Sequence, residues 1–516
     1  MLNGTAPFSS NVPQILLLFA VLGFVFPFLV PFSRKKPHLV LWCHLFFTLP
    51  FLLFFFFQTR AFPEGIRVVP GGWGADRGVQ LLLNELSLLF MLSATAIFTA
   101  VLSYSPRLRK DWKFAFLLDL LFTDLLLLFL ANDLFNIYVT MELLSLLSYL
   151  LIAGETKNRQ IWVSLKYMII GAVGFNLYLF GIAEIYAATG TLNLDLLRSL
   201  APHHLEELTL PLVFLICSFL IKSGAFFFSM WLPIAHSEAP GVVSAFLSGI
   251  IVKSGIFFLF RMWDFFQTPL LEFFLTGVGI ASAGVGVFLA LLQKDMKLIL
   301  AFSTMSQVGF ILLGGPREGA YYAMAHAFFK SLLFLSVDSA SKSFQSRNLQ
   351  RIRQSSLRVP ASVTIPFLVG FFALSGLFFC SGGLYKYQIL HHQPPWVFWY
   401  LEILSVGTVL YLGKMAMVLL EKTSWKGKWL PPFPLAILAF PVLIHGTLLF
   451  TQSAIALTFS LSSMLVFGIG LAVSFWMRGL WWNWFPYRWF RVPVVLNGYL
   501  VILATLVGGS AFYLFQ

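Results

Sequence analysis

Long apolar runs recur along the whole chain, separated by short polar stretches. Each run reaches roughly 18 residues or more, enough for a helix to cross a hydrocarbon core ~30 Å thick. The pattern predicts helices over residues 13–32, 38–57, 78–104, 112–131, 133–153, 161–188, 210–230 and 241–262. It continues over 268–292, 297–315, 319–341, 361–391, 396–420, 433–451, 455–477 and 492–515. The expected fold is an all-α membrane protein of about 14–16 transmembrane helices. The longest polar stretches, 58–77, 189–209 and 342–360, leave no room for a soluble domain. The first run, Pro13 to Phe32, has no basic segment before it and no small-residue cleavage site after it. It reads as a retained helix rather than a signal peptide.

Composition agrees with a membrane class. Of 516 residues, 59% are hydrophobic and 11% charged, against about 25% charged in soluble domains. The net charge of +13 would suggest nucleic acid in a soluble protein; here the basic residues belong to short loops that set topology. One set of alternate loops carries 22 Lys and Arg, in Arg34–Lys36, Arg107–Lys113, Lys157–Arg159, Lys294–Lys297, Lys342–Arg358, Lys422–Lys428 and Arg478–Arg491. The other set carries six: Arg60, Arg67, Arg77, Arg198, Arg261 and Arg317. The bias supports the helix count and predicts an N-terminus outside. Cys43, Cys217 and Cys380 lie far apart in apolar runs, without metal-ligand spacing, and read as packing residues.

Six lysines remain inside the apolar runs: Lys166, Lys222, Lys253, Lys330, Lys386 and Lys414. Asp119, Asp124, Glu142, Glu184 and Asp338 lie at similar depth. A charge at the bilayer centre costs at least ~2.5–3.5 kcal/mol, so these side chains must face the interior, pair, or meet water. Lys166, Asp119 and Glu184 lie near helix ends, where snorkelling suffices, and Lys414 is open to either reading. Snorkelling does not suit Glu142, Lys222, Lys253 or Lys386. Burial lowers a lysine's pKa and a nearby carboxylate raises it again, so such a lysine can take up and release a proton. His326 sits four residues before Lys330 on the same helix face; packing and proton transfer are both open for it. Trp231-Leu232-Pro233 follows Lys222, and Ser381-Gly382-Gly383 precedes Lys386. Pro233, Gly382 and Gly383 are therefore read as helix breaks, near Ser229–Pro233 and Ser381–Tyr385. Broken helices in corresponding halves point to a transport site. The chain then divides into residues 1–111, a first five-helix unit at 112–262, a second at 263–420, and C-terminal helices at 421–516.

The run KSGAFFFSMWLPIAHSEAPGVVSAFLSGIIVKSG, Lys222 to Gly255, resembles the signature of the antiporter-like subunits of respiratory complex I and its relatives. DLFNIYVTMELLSLLSYLL, from Asp133, resembles their fifth helix, with Glu142 as its glutamate. KDMKLILAFSTMSQVGF, HAFFKSLLFL and ALSGLFFCSGGLYKYQ follow in the family's order, so the resemblance covers about residues 75 to 420. GGWGADRGVQLLLNELS, DLFN and ATGTLNL look most like Mrp-type cation/proton antiporters and membrane-bound hydrogenases. The resemblance implies two inverted five-helix repeats, helices 4–8 and 9–13, each with a broken helix. It implies proton transfer through Glu142 with Lys222, then Lys253, then His326 and Lys330, and Lys386. Two departures stand out: Phe378-Phe379 replaces the usual proline pair, and the segments 455–477 and 492–515 match nothing in the family.

The expected function is a proton-translocating subunit of a hetero-oligomeric complex in a prokaryotic cell membrane, coupled to sodium antiport or to a redox module. The alternatives are a structural subunit with a disabled pathway, or the membrane partner of a bicarbonate or small-solute uptake system. The chain has no CxxC, glycine-rich cofactor fingerprint or P-loop, so no cofactor is expected in it and redox centres would belong to other subunits. The expected partners are other membrane subunits, lipid, protons and possible coupling sodium, with no nucleic acid.

Overall fold

The computed structural model describes residues 11–76, 78–154, 158–200, 205–266, 268–377, 380–425, 435–443 and 456–476. The expected helix 492–515 and the Phe378-Phe379 pair lie outside the described residues, as do parts of 433–451. Among those described, ten helices are long and apolar enough to cross a membrane. They include α1 (Val12–Leu29), α2 (Pro37–Ala61), α3 (Glu85–Tyr104), α5 (Leu134–Ala153) and α6 (Asn158–Thr189). Helix α4 (Trp112–Leu130) packs against α5 and carries Lys113, Asp119 and Asp124. The chain is thus an all-α, multi-pass membrane protein.

Local sequence explains the helix starts. Asn84, Asp111, Asp133, Thr268 and Asp295 each cap a helix with a side-chain oxygen that accepts a backbone N–H two or three residues on. Such caps supply partners for the first-turn N–H groups of a helix. The cap at Asn84 also corrects an expectation. Helix was expected from residue 78, but Leu81–Leu83 form a strand paired antiparallel with Ile66–Val68, and α3 starts only at Glu85. Two polar stretches expected as loops contain short helices, α7 (Leu194–Leu200) and α15 (Leu349–Gln354).

The middle of the molecule is built from interrupted helices. The seventh expected segment is α8 (Leu205–Ser223), then a non-helical turn, then α9 (Trp231–Glu238). The next is α10 (Gly241–Phe246), a π turn at Leu247–Ile251, and α11 (Val252–Arg261). Uninterrupted helices α12 (Pro269–Leu292) and α13 (Met296–Leu313) follow, then α14 (Ala320–Phe344). The twelfth expected segment is α16 (Ala361–Ser375), a gap, and α17 (Ser381–His391), followed by α18 (Pro395–Glu421). The expected helix at 455–477 is present as α19 (Ala456–Trp476), which packs on α18.

Burial separates an inner group of helices from an outer one. The α10–α11 segment is buried throughout its most apolar window, and α13 and α14 nearly so, while α1, α2 and α6 expose most of theirs. The exposed side of α1, α2 and α6 is rich in Leu, Ile, Val and Phe, as lipid contact requires.

Candidate functional site

The two chain breaks lie a few residues from where they were expected. Gly224 (φ 64°) and Phe227 (φ 72°) carry the turn after α8, and Gly376 (φ 88°) ends α16 in the left-handed region. Glycine adopts that backbone without the Cβ penalty. Pro233 is instead the third residue of α9, in a first turn that does not need its N–H. Gly382 and Gly383 sit in the first turn of α17, where a Cβ would collide with the carbonyl oxygens of Ala373 and Leu377. They let the downstream half-helix lie against the end of the upstream half. At the first break, Trp231 Nε1 donates at 2.8 Å to the Ile221 carbonyl, which also accepts from the Gly224 N–H at 3.2 Å.

Lys222 lies in the last turn of α8, buried, and its Nζ donates to Ser145 Oγ of α5 at 2.5 Å. The two form one wall of a small internal cavity with Tyr149, Tyr167 and Trp231. Glu142, expected as the partner of Lys222, is exposed on the outer side of α5, beside Tyr138. Among the described residues Glu142 and Lys222 form no ion pair. The carboxylate whose charge acts on Lys222 is Asp124 of α4, itself buried, with Oδ2 free of hydrogen-bond partners among the described residues.

From Lys222 the site continues inward. A Cβ at Gly255 would collide with the Phe219 carbonyl and Ser223 Oγ, so α11 presses directly on α8 beside Lys222. Lys253, with no exposed surface, donates to the Ser248 carbonyl within the π turn, whose wider winding changes which carbonyls are paired. Lys330 of α14 donates to the Leu300 carbonyl at 2.9 Å and to Ser303 Oγ. Between these lysines lie His236 and His326, both fully buried, with neither ring nitrogen hydrogen-bonded among the described residues. The charges of Lys253 and Lys330 act on both rings. His236 also stacks on Phe334 at 4.5 Å, and His326 meets Phe329 edge-on at 5.2 Å.

One face of α13 extends the row. Leu300, Ser303, Gln307 and Phe310 recur at three- and four-residue spacing and so share a stripe. Leu300 and Ser303 accept from Lys330, Gln307 Oε1 accepts from Tyr322, and Phe310 lies 4.5 Å beneath Lys386 Nζ. Lys386, in α17, is buried and its Nζ has no hydrogen-bond partner among the described residues. It faces a second cavity, with Ser375, Tyr387, Ser405 and Glu402 of α18, and the Glu402 charge acts on it.

Several residues take places that sequence reasoning missed. His236 was within reach, since it interrupts an apolar stretch between two deep lysines. Asp119 was read as snorkelling but is fully buried. Arg261 and Lys297 were assigned to loops, yet both are buried. Arg261 donates to the Phe129 and Leu82 carbonyls at 3.1 and 3.2 Å, and Lys297 to the Ala239 carbonyl at 2.8 Å. Lys414, left open, donates to the Leu291 and Gln293 carbonyls at 3.0 and 2.6 Å, capping the end of α12. Lys166 and Glu184 are exposed.

Interrupted helices around a row of buried lysines and histidines define a class: multi-pass membrane proteins with a polar axis held inside the bundle. Residues 131–411, more than half of the chain, match the transmembrane family model described as NADH:quinone oxidoreductase/Mrp antiporter, and the chain belongs to that family. The NADH-quinone oxidoreductase subunit N of Desulforudis audaxviator is 32% identical over 296 residues, covering 54% of this chain and 58% of the relative. A Na(+)/H(+) antiporter subunit of Alkalihalophilus pseudofirmus is 30% identical over 400 residues, covering 69% of this chain and 48% of the relative. The match thus spans about half to three fifths of these relatives' lengths. A chain in the structure of the Mrp complex from Dietzia sp. DQ12-45-1b shares the fold, with a TM-score of 0.77 and 21% identity over 96% of this chain and 60% of that one. The chain is thus a multi-pass membrane member of the NADH:quinone oxidoreductase/Mrp antiporter family, with the fold of a chain in the Mrp complex.

Proposed function

We propose that this subunit translocates protons through Lys222, Lys253, His326, Lys330 and Lys386, joined by His236, within a multi-subunit complex of a prokaryotic cell membrane. The observation that carries the reading is the row itself: four buried lysines and two histidines without hydrogen bonds among the described residues, running from one helix break to the other. A set of exchangeable N–H donors spaced along one axis is what proton transfer needs. The division into units at 112–262 and 263–420, as inverted repeats with one break each, belongs to the same reading.

Glu142 enters this scheme from the outside. An acid on the exposed face of a membrane helix costs several kcal/mol against lipid, so a neighbouring subunit covers it in the assembled complex. Separation of Glu142 from Lys222 in the isolated chain then corresponds to the open state of a switchable pair, with Asp124 retaining the lysine's charge from within. Coupling to sodium antiport or to a redox module takes place in the other subunits. The test is a reconstituted complex in vesicles carrying a pH-sensitive dye. Lys253→Met keeps the length of the side chain and removes its proton site. The expected result is intact assembly with at least a ~10-fold loss of proton flux, within the usual reach of one acid–base group. Assembled Lys253→Met complexes with parental flux would sink the reading.

A further inference from the structure

A further buried ionisable pair lies outside the lysine row and outside the family-matched residues 131–411. His44 of α2 and Asp119 of α4 meet through Nδ1 and Oδ1 at 2.8 Å, and neither has exposed side-chain surface. His44 is held between the face of Phe26 (4.7 Å between ring centres) and the edge of Phe122 (5.2 Å). Its Nε2 and Asp119 Oδ2 are both buried without hydrogen-bond partners among the described residues. Buried polar atoms are nearly always hydrogen-bonded, and a simple clamp between two helices gains nothing from leaving two of them open. Each residue therefore has one bonded atom and one open atom, which is the arrangement of a relay.

The position fits that function. His44 and Asp119 are each the eighth residue of a helix that begins beside a basic loop, Arg34–Lys36 or Arg107–Lys113. Both lie about 10 Å along their helices at 1.5 Å rise per residue. Asp124 is five residues farther along α4, about 7 Å deeper, and its charge acts on Lys222. The buried Thr123 hydroxyl lies between the two aspartates in the chain, one turn from Asp119. At the basic end, His38 is the second residue of α2, part-exposed, with a buried Nδ1 lacking a hydrogen-bond partner. The neighbouring α1 carries no ionisable residue, so no competing charge reaches the pair from that side.

We propose that His44 and Asp119, continued by Asp124, form a proton-carrying branch that leads from the basic end of α2 and α4 to Lys222. A proton taken up at His44 Nε2 releases the Nδ1 proton to Asp119 Oδ1, and the imidazole resets by water-assisted tautomerisation from the Nε2–H to the Nδ1–H form. Residues five apart on a helix point about 140° apart, so the protonated Asp119 carboxyl hands its proton to bridging water, which passes it to the Asp124 carboxylate, and Asp124 delivers it to neutral Lys222. Each donor returns to its starting charge, so one proton moves and nothing else changes. The branch rests on the proposed proton role of Lys222.

The test uses the intact complex in dye-loaded vesicles. Asp119→Asn keeps an oxygen for His44 but cannot carry a proton. The branch predicts normal assembly with a ~10-fold or greater fall in proton flux, partly rescued by Asp119→Glu. Flux within twofold of the parent in assembled Asp119→Asn complexes overturns it. His44→Gln, which retains a nitrogen donor toward Asp119, is read the same way. Failure of both variants to assemble makes the pair structural and also overturns the proposal. Lys222→Met in the same vesicles separates the two ideas. Flux lost there but kept in Asp119→Asn rejects the branch alone, and flux that survives Lys222→Met rejects the lysine reading beneath it.

Discussion

At the scale of the residue, two buried lysines show how partners decide a role. Lys414 Nζ bonds two carbonyl oxygens at the end of α12, groups that the helix leaves unpaired. Lys386 Nζ has no such bond and rests over the Phe310 ring. Removing a partner from buried carbonyls costs about 1–3 kcal/mol. Lys414→Met is therefore expected to lower the thermal unfolding temperature of the detergent-solubilised protein, while complexes that do assemble keep proton flux. Lys386→Met should do the reverse, with unfolding temperature near the parent's and flux reduced at least ~10-fold. Thermal scans and vesicle flux on the same two preparations check both halves. Similar losses of stability in the two variants would show that Lys386 also holds the fold.

At the scale of the element, small residues determine how closely helices approach, because lipid supplies no hydrophobic force to bring them together. On α12 and α13, a Cβ at Gly286 would strike the Ser306 backbone, and one at Gly309 would strike the Gly279 carbonyl oxygen. A backbone neighbour cannot move aside as a side-chain tip can. Gly286→Val is expected to abolish assembly, whereas Gly277→Val, with open space around its position, should assemble normally. Recovery of the complex by size-exclusion chromatography distinguishes them. The break after α16 gives a second case. Gly376→Ala places a side chain at φ 88°, which costs roughly 1–2 kcal/mol, and its Cβ falls 3.4 Å from Lys386 Cδ. The expected outcome is an assembled complex whose flux is altered, with Lys386 itself intact.

At the scale of the whole molecule, a polar latch closes one end of the bundle. Asp195 on α7 accepts from Arg67 Nε at 2.8 Å, from Arg198 Nη1 at 3.0 Å and from Asn132 Nδ2 at 3.0 Å. Arg198 also donates to the Arg261 carbonyl at 2.7 Å, tying the latch to α11. Burial pushes the Asp195 carboxyl up, but the Arg67 bond and charge, with Arg198 and Asn132, hold it below the usual carboxylate range. A carboxyl lowered in the folded state stabilises the protein above its unfolded pKa, about 3.9, and loses that contribution as pH falls through the lower folded value. The latch should therefore stay closed at neutral pH and loosen only in strong acid. Asp195→Asn should remove that acid dependence and speed proteolysis within residues 189–200 at neutral pH. Unchanged cleavage rates would show that α7 is held by its apolar contacts alone.

Much of this molecule was legible in the chain alone. Apolar run length reports bilayer thickness, so most membrane helices followed directly, and the cost of burying charge singled out Lys222, Lys253 and Lys386 before any contact was known. The glycine and proline punctuation pointed to two broken helices, although Pro233, Gly382 and Gly383 lie in the first turns downstream and Gly224, Phe227 and Gly376 carry the breaks. What needed the tertiary structure was direction. A side chain in the middle of a membrane helix can face lipid, cavity or core, and sequence depth does not distinguish them. Glu142 and Asp124 lie at comparable depth, yet packing turns Glu142 outward and Asp124 toward Lys222. Asp119 found its partner in His44, 75 residues away in the chain, and only the docking of α2 on α4 brings them together. Depth is a one-dimensional property that the sequence carries; facing is set by which helices pack, and that exists only in the folded protein.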